Sequence, residues 1–305
     1  MADALFTQPR FNNDEAARAH LEAIRWPQGA VCPHCGGADR QSKLEGASHR
    51  PGLYFCGHCR QQYTVTVGTV FERSKVPLHK WVLATHLMCS SKKGISAHQM
   101  HRTLGVTYKT AWFMAHRIRE AMNIEPEGQL GGDGGPVEVD ETFWGNNGKQ
   151  APGARSYHHK MKVVSLVDRA GEKRSFHVPN VSPKTLAPIL AAHVAKEAHL
   201  MTDEHGSYEK LGRMFRKHSV VNHTAKEYSR GKITTNTVEA SFSLLKRGLV
   251  GTFHHVGEQH LQRYVNEFDF RWNNRTSLGV DDTQRTNKAL RNIAGKRLTY
   301  RRIDA

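Results

Sequence analysis

The chain has 305 residues, with 44 Lys plus Arg against 28 Asp plus Glu, a formal net charge of +16 and a pI near 9.8. That length leaves room for two or three domains, and no run approaches the roughly 18 apolar residues that a membrane span requires. A basic excess without an amphipathic anchor fits a polyanion partner, nucleic acid before membrane. The N-terminus lacks a charged n-region and an apolar h-region, so no signal peptide is expected and the expected location is cytoplasmic. Four of the five cysteines stand in paired spacing, which favours metal binding in a reducing compartment over disulfides.

In chain order, residues 11–25 read as a short helix with Asn13 or Asp14 as its cap, and Leu21, Ile24 and Trp26 as its packing residues. Cys32-Pro-His-Cys35 and Cys56-Gly-His-Cys59 follow, 20 residues apart. Two such knuckles offer four thiolates to one tetrahedral ion, the spacing of a zinc ribbon. Four ligands close the site, so the zinc is structural and His34 and His58 read as surface residues. Leu53–Phe55 and 63–67 alternate like strands of a small hairpin. Pro77 opens a helix to Met88, in its first turn, and Cys89 reads as a buried thiol. Ser96-Ala-His-Gln99 is a capping pattern for a helix to Leu104, Gly105-Val-Thr107 makes a turn, and a second helix runs from Tyr108 to Arg119. With Lys109, His116, Arg117 and Arg119 on that second helix, the pair reads as a DNA-binding helix-turn-helix.

The glycine-rich stretch 131–136 reads as a linker and domain boundary. Beyond it come a strand from Val137 to Phe143, a Gly- and Asn-rich loop from Gly145 to Tyr157, and strands 162–167 and 174–178. A helix follows from Ser182-Pro183, bent or delayed at Pro188, then a strand at 198–202 that delivers Asp203. A short helix with Leu211 and Phe215, a strand near Val220 and Val221 and two long helices complete the order, which is that of a ribonuclease-H-like domain. The last of these, Glu258 to Arg275, stripes Leu261, Tyr264, Val265, Phe268 and Trp272 on one side. From Arg285 to Ala305 there are seven basic residues and one acid, read as a basic tail, solvated or phosphate-binding.

Within the stretch Thr234 to Arg247, Val238, Phe242, Leu245 and Leu249 fall on one helical stripe, the pattern of a helix packed on a core. Glu239 and Lys246, two turns apart, share a neighbouring face. Asp203 ends an earlier apolar run, with 35 residues between it and Glu239, and Val137-Glu-Val-Asp140 reads as a strand ending in acid. Two carboxylates at strand positions and one on a packed helix form the hard-oxygen set of a two-metal phosphoryl-transfer site. Glu138 and Glu141 lie close to Asp140, and strand alternation puts Glu138 on the same side.

In these segments the sequence resembles the DDE transposases of bacterial insertion sequences, in the ISXO-type subgroup with an N-terminal zinc ribbon. The resemblance runs from about Phe11 to Arg275 and includes the Thr-Asn-Thr-Val-Glu … Leu-Leu-Lys-Arg-Gly stretch. It implies a multidomain α+β chain: helix and zinc ribbon over 1–75, helix-turn-helix over 76–130, an α/β ribonuclease-H-like catalytic domain over 131–280 and a basic tail over 281–305. It also implies catalytic residues Asp140, Asp203, Glu239 and Lys246. Asp140 would bridge two Mg²⁺ (or Mn²⁺) ions, Asp203 and Glu239 would each complete one site, and Lys246 would contact a phosphate near the scissile bond. Lys109, His116, Arg117, Arg119 and Arg247 are the expected DNA contacts, beside structural Zn²⁺ on Cys32, Cys35, Cys56 and Cys59. The implied partners are double-stranded DNA, as transposon ends and target, and further copies of the chain in a dimer or larger assembly on DNA. The implied activity is terminal-repeat binding, strand cleavage and strand transfer. The alternatives are a catalytically silent DNA-binding regulator derived from a transposase and a non-transposing nuclease on the same fold.

Overall fold

The computed structural model describes residues 5–145 and 159–299. The chain divides into two compact units, Met1–Asn123 with Val280–Ala305, and Ile124–Gly279. The break therefore falls before the glycine-rich stretch expected to be the linker. Leu130 and Gly131 belong to the second unit: the Leu130 N–H donates to the His193 carbonyl, and a Cβ on Gly131 would lie 2.6 Å from that of Ala198. Gly131 also has φ +70°, so glycine serves both the turn and the close approach there.

In the first unit, α1 (Asp14–Arg25) starts where the Asn13 side chain accepts the Ala16 N–H, and it buries Ala17 and Leu21. A three-stranded antiparallel sheet follows, β1 (Gln41–Leu44), β2 (Leu53–Cys56) and β3 (Gln62–Tyr63), in that spatial order. β1 carries almost no apolar signal, which is why its sequence, Gln-Ser-Lys-Leu, does not announce a strand. β3 stops at Tyr63 because the next backbone turns: the Val67 N–H returns to the Thr64 carbonyl at 3.0 Å. Trp26, Tyr54 and Tyr63 pack together, edge-on around Trp26 and stacked between the tyrosines.

Three helices complete this stretch, α2 (Leu78–Ser90), α3 (Ala97–Leu104) and α4 (Tyr108–Met122). Pro77 sits one residue ahead of α2 rather than inside its first turn. Ser96 caps α3 through the Gln99 N–H, Gly105 closes it at φ 60°, and Thr107 caps α4 through the Thr110 N–H.

The second unit is built on five strands: β4 (Pro136–Trp144), β5 (Met161–Asp168), β6 (Lys173–Val178), β7 (His199–Asp203) and β8 (Lys217–Val221). Between them lie α5 (Pro183–His193), which runs through Pro188, and α6 (Ser207–Leu211). After them come a two-stranded hairpin, β9 (Ser229–Arg230) and β10 (Ile233–Thr234), and then α7 (Asn236–Gly248) and α8 (Glu258–Asn273). The sheet order is β6-β5-β4-β7-β8, with β6, β5 and β4 antiparallel and β4, β7 and β8 parallel. Beyond Gly145, the loop expected to reach Tyr157 lies outside the described residues.

Alternation along the central strands sends side chains to two cores. Val137, Val139, Val164 and Leu166 face Leu186 and Leu190 of α5 and Tyr208 and Leu211 of α6. Met161, Val163 and Val167 face Val238, Phe242, Leu245 and Leu249 on one side of α7 and Leu261, Val265 and Phe268 of α8. Burying each such side chain stabilises the unit by roughly 1.5–3 kcal/mol before entropy is subtracted. Glu138 and Asp140, alternating with Val137 and Val139, are thereby on the α7 side of β4.

The C-terminal stretch corrects one expectation. Residues 281–305 read as a basic tail, yet α9 (Asp282–Arg291) is a helix of the first unit, opened by an Asp281–Gln284 capping box. It buries Thr286, Ala289 and Leu290, with Ile293 just beyond it, and packs on α2, where His86 and Thr286 hydrogen-bond at 3.0 Å. The interleaved basic residues hide that apolar stripe from a charge count. No helix among the described residues is long and apolar enough to cross a membrane.

Candidate active site

The last parallel pair between β4 and β7 is Glu138 with Met201, so two further residues along each strand Asp140 stands level with Asp203. Asp203 ends β7, and Asp140, midway along β4, lies just past the last residue paired with β7, so both sit at the C-terminal edge of the parallel pair, where open α/β sheets form their binding crevices. Ligand oxygens of Asp140, Glu141 and Asp203 all fall within 4.8 Å of one another. Glu141 alternates to the α6 side, where the Tyr208 hydroxyl donates to its Oε2 at 2.7 Å and His205 Nδ1 is 3.8 Å from its Oε1. Asp140 is drawn toward it, because its Oδ1 accepts the Glu141 N–H at 2.7 Å. Two acids from opposite faces of one strand therefore meet, which a strict period of two does not foretell.

Among the described residues, the electrostatics are those of carboxylates gathered without a matching cation. Burial, then the charges of Glu141 and Asp203, and more weakly Glu239, push the Asp140 carboxyl up to about 8. Burial also raises Glu141, opposed by the Tyr208 hydrogen bond. Hard oxygen donors at this separation, disfavouring their own ionisation, suit a small divalent cation such as Mg²⁺.

Glu239 is carried by α7 and is half-buried; its Oε1 accepts the Thr235 hydroxyl at 2.7 Å and is 3.4 Å from His223 Nε2. It stands outside the three-acid cluster, although its charge is felt at Asp140. Lys246, two turns further along α7, is exposed, as is Arg247. The hydrogen bonds of Glu138 answer the question of which neighbour of Asp140 is free to bind an ion. Both Glu138 oxygens are occupied, by the N–H groups of Thr237 and Val238, the Thr237 hydroxyl and Arg169. The Tyr208, His205 and His223 contributions leave no mark in the sequence. Glu141 is visible there only as an acid adjacent to Asp140 on the same strand.

In the first unit, Cys32, Cys35, Cys56 and Cys59 also cluster within 4.8 Å. Sulfur–sulfur separations of 3.6 Å, for Cys32–Cys59 and Cys35–Cys56, are near the edge of about 3.8 Å set by four Zn–S bonds of about 2.3 Å. The cluster is consistent with structural zinc. His34 and His58 are exposed, and His58 is bonded to Asp39.

Three expected DNA contacts are removed by burial. His116, Arg117 and Arg119 are 1%, 7% and 2% exposed. Arg117 donates to the Glu72 carbonyl at 2.6 Å and lies over the Trp81 and Phe113 rings. The C-terminal half of α4 is packed nearly all round, and long basic side chains bury their stems there. Lys109, in the first turn, is exposed.

Comparison with known proteins gives two family matches, to an ISXO2-like transposase domain over residues 131–273 and to a transposase zinc-ribbon domain over residues 12–62. An uncharacterised protein in the transposable element ISH50 of Halobacterium salinarum is 28% identical over 279 residues, spanning 86% of this chain and 91% of that protein. The matched segments contain the acidic cluster, within residues 131–273, and the four cysteines, within residues 12–62.

Proposed function

We propose that the chain is an insertion-sequence transposase that binds the terminal repeats of its element and catalyses metal-dependent DNA strand cleavage and strand transfer. The observation that carries this reading is the meeting of Asp140 and Glu141, midway along β4, with Asp203 at the end of β7 inside a segment that matches a transposase domain. The sheet order, with an antiparallel three-strand meander joined to two parallel strands, supports a ribonuclease-H-like fold. Asp140, Asp203 and Glu239 are the proposed metal-holding carboxylates, and Glu141 is placed to join them. Magnesium bound there would supply Lewis-acid activation of a water or a DNA 3′-hydroxyl and stabilise the leaving oxygen.

The chain's own groups then orient the DNA. Lys246 on α7 carries an exposed point charge for a backbone phosphate, and Arg247 is exposed beside it. The α3–Gly105–α4 pair supports a helix-turn-helix reading in which Lys109 faces outward, with the zinc-bearing ribbon as a second DNA-reading module. The net charge of +16 supplies the non-specific attraction to duplex. Joining two ends requires at least two protomers on DNA.

The test uses purified protein, Mg²⁺ or Mn²⁺, and labelled duplex from the DNA flanking the gene. Cleavage and joining by the native chain, lost in Asp140→Asn and Glu239→Gln with duplex binding retained, is the expected result. Binding without chemistry in the native chain would favour a DNA-binding regulator.

A further inference from the structure

At the start of the helix that carries Glu239, Thr235 makes no side-chain capping hydrogen bond, and the Thr234 hydroxyl accepts only the Asn236 N–H, at 3.0 Å. The next two free N–H groups are satisfied from another element. Glu138 Oε2 accepts the Thr237 and Val238 N–H groups at 2.8 and 2.9 Å, and Glu138 Oε1 accepts the Thr237 hydroxyl at 2.9 Å. A fully buried carboxylate at a helix N-terminus is held by both the N–H donors and the helix dipole. Arg169 neutralises it at 2.8 Å and also donates to the Lys232 carbonyl, which fixes the approach of the chain into α7.

The placement ties two candidate ligands together. Glu138 is two residues before Asp140 on the same face of β4, and the amides it holds immediately precede Glu239. A second tie runs on the other side. Glu204, next to Asp203, accepts the His223 and Thr224 N–H groups at 2.8 and 2.9 Å, and His223 faces Glu239. Neither Glu138 oxygen is available to an ion. We propose that Glu138 is a positioning residue that sets Glu239 against Asp140 and so determines the affinity of the acidic site for a divalent cation. This rests on the reading of Glu239 as a metal ligand.

The test is Mn²⁺ binding to the full-length, zinc-loaded protein without DNA, followed by the loss of the free-ion paramagnetic resonance signal. Glu138→Ala, Glu239→Gln and the double variant are compared, with thermal melting as a control for folding. The expected result is a rise in Mn²⁺ Kd of about tenfold or more in each single variant, and no further rise in the double variant. Glu138→Gln, which keeps an oxygen for the two amides, should recover part of the affinity. It takes the place of Glu138→Ala in the comparison if the alanine variant does not fold. Native affinity in the Glu138 variant beside weakened binding in Glu239→Gln would overturn the positioning role, as would strictly additive losses. Native affinity in Glu239→Gln would instead show that Glu239 is not a ligand, and the proposal would fall with that reading.

Discussion

The buried Tyr208 hydroxyl donates to the Glu141 carboxylate at 2.7 Å, joining α6 to the acid cluster on β4. That bond holds down the Glu141 carboxyl, which burial otherwise raises. Removing it in Tyr208→Phe leaves a largely buried carboxylate short of a donor, at a cost of about 1–3 kcal/mol in denaturant unfolding. It also makes Glu141 a poorer oxygen donor, so Mn²⁺ affinity should fall several-fold. Lost stability with native Mn²⁺ affinity would assign Glu141 to folding alone.

Asp140 gives the site a pH dependence with a definite sign. Its carboxyl in the folded chain is pushed up to about 8, far above its ordinary value. Between about pH 4 and 8 the folded state therefore holds a proton that the unfolded chain has released, and the stability present at low pH is lost as pH rises through that window. In Mg²⁺-free protein, Asp140→Asn should gain melting temperature relative to the native chain as pH moves from 6 to 8.5. Metal binding must displace the same proton, so native Mn²⁺ affinity should rise by up to about tenfold per pH unit below 8. A flat affinity from pH 6 to 8 would mean that Asp140 is ionised before the metal arrives.

These two residues also mark how far the sequence could be read. The strand that carries Asp140 and the stripe of Val238, Phe242, Leu245 and Leu249 follow from periodicity, because each is a relation among near neighbours, and all four stripe residues are buried. The side of β4 that carries Glu138 follows from alternation as well. Its role does not, since its partners Thr237 and Val238 are about a hundred residues away. Alternation pointed to Glu138 rather than Glu141 as the acid on the side of Asp140, because it does not show that long and short carboxylate arms from opposite faces of a strand can meet. In α4 and α9, charge counting misled for one reason: arginine buries a long apolar stem, and a helix can be basic and packed at once.

The second unit contains a buried ion pair whose loss should be costly. Lys173 Nζ lies 3.2 Å from Asp269 Oδ1, which also accepts the Ser175 hydroxyl at 2.8 Å, and both side chains are buried. Lys173→Met removes the cation that lowers the Asp269 carboxyl against burial, leaving an uncompensated charge at a cost of about 3–5 kcal/mol. The double change Lys173→Met with Asp269→Leu removes both charges and should recover much of that loss. Urea unfolding of the two variants measures the difference. A double variant as unstable as Lys173→Met would show that packing, rather than charge, dominates there.

Lys109 and Arg117 lie two turns apart on α4 and should respond oppositely. Lys109 is exposed at the start of the helix, whereas Arg117 is buried against Trp81 and Phe113 and bonded to the Glu72 carbonyl. If Lys109 meets a phosphate, Lys109→Ala should weaken duplex binding and reduce the slope of log K against log salt by about 0.9, the counterion released at one contact. Melting temperature should not change. Arg117→Ala should lower the melting temperature by removing a packed, hydrogen-bonded side chain, while DNA bound per folded molecule keeps its salt slope. A reduced slope in Arg117→Ala would require that α4 open on DNA and present its buried face to the duplex, because a guanidinium held against two aromatic rings has no other route to a phosphate.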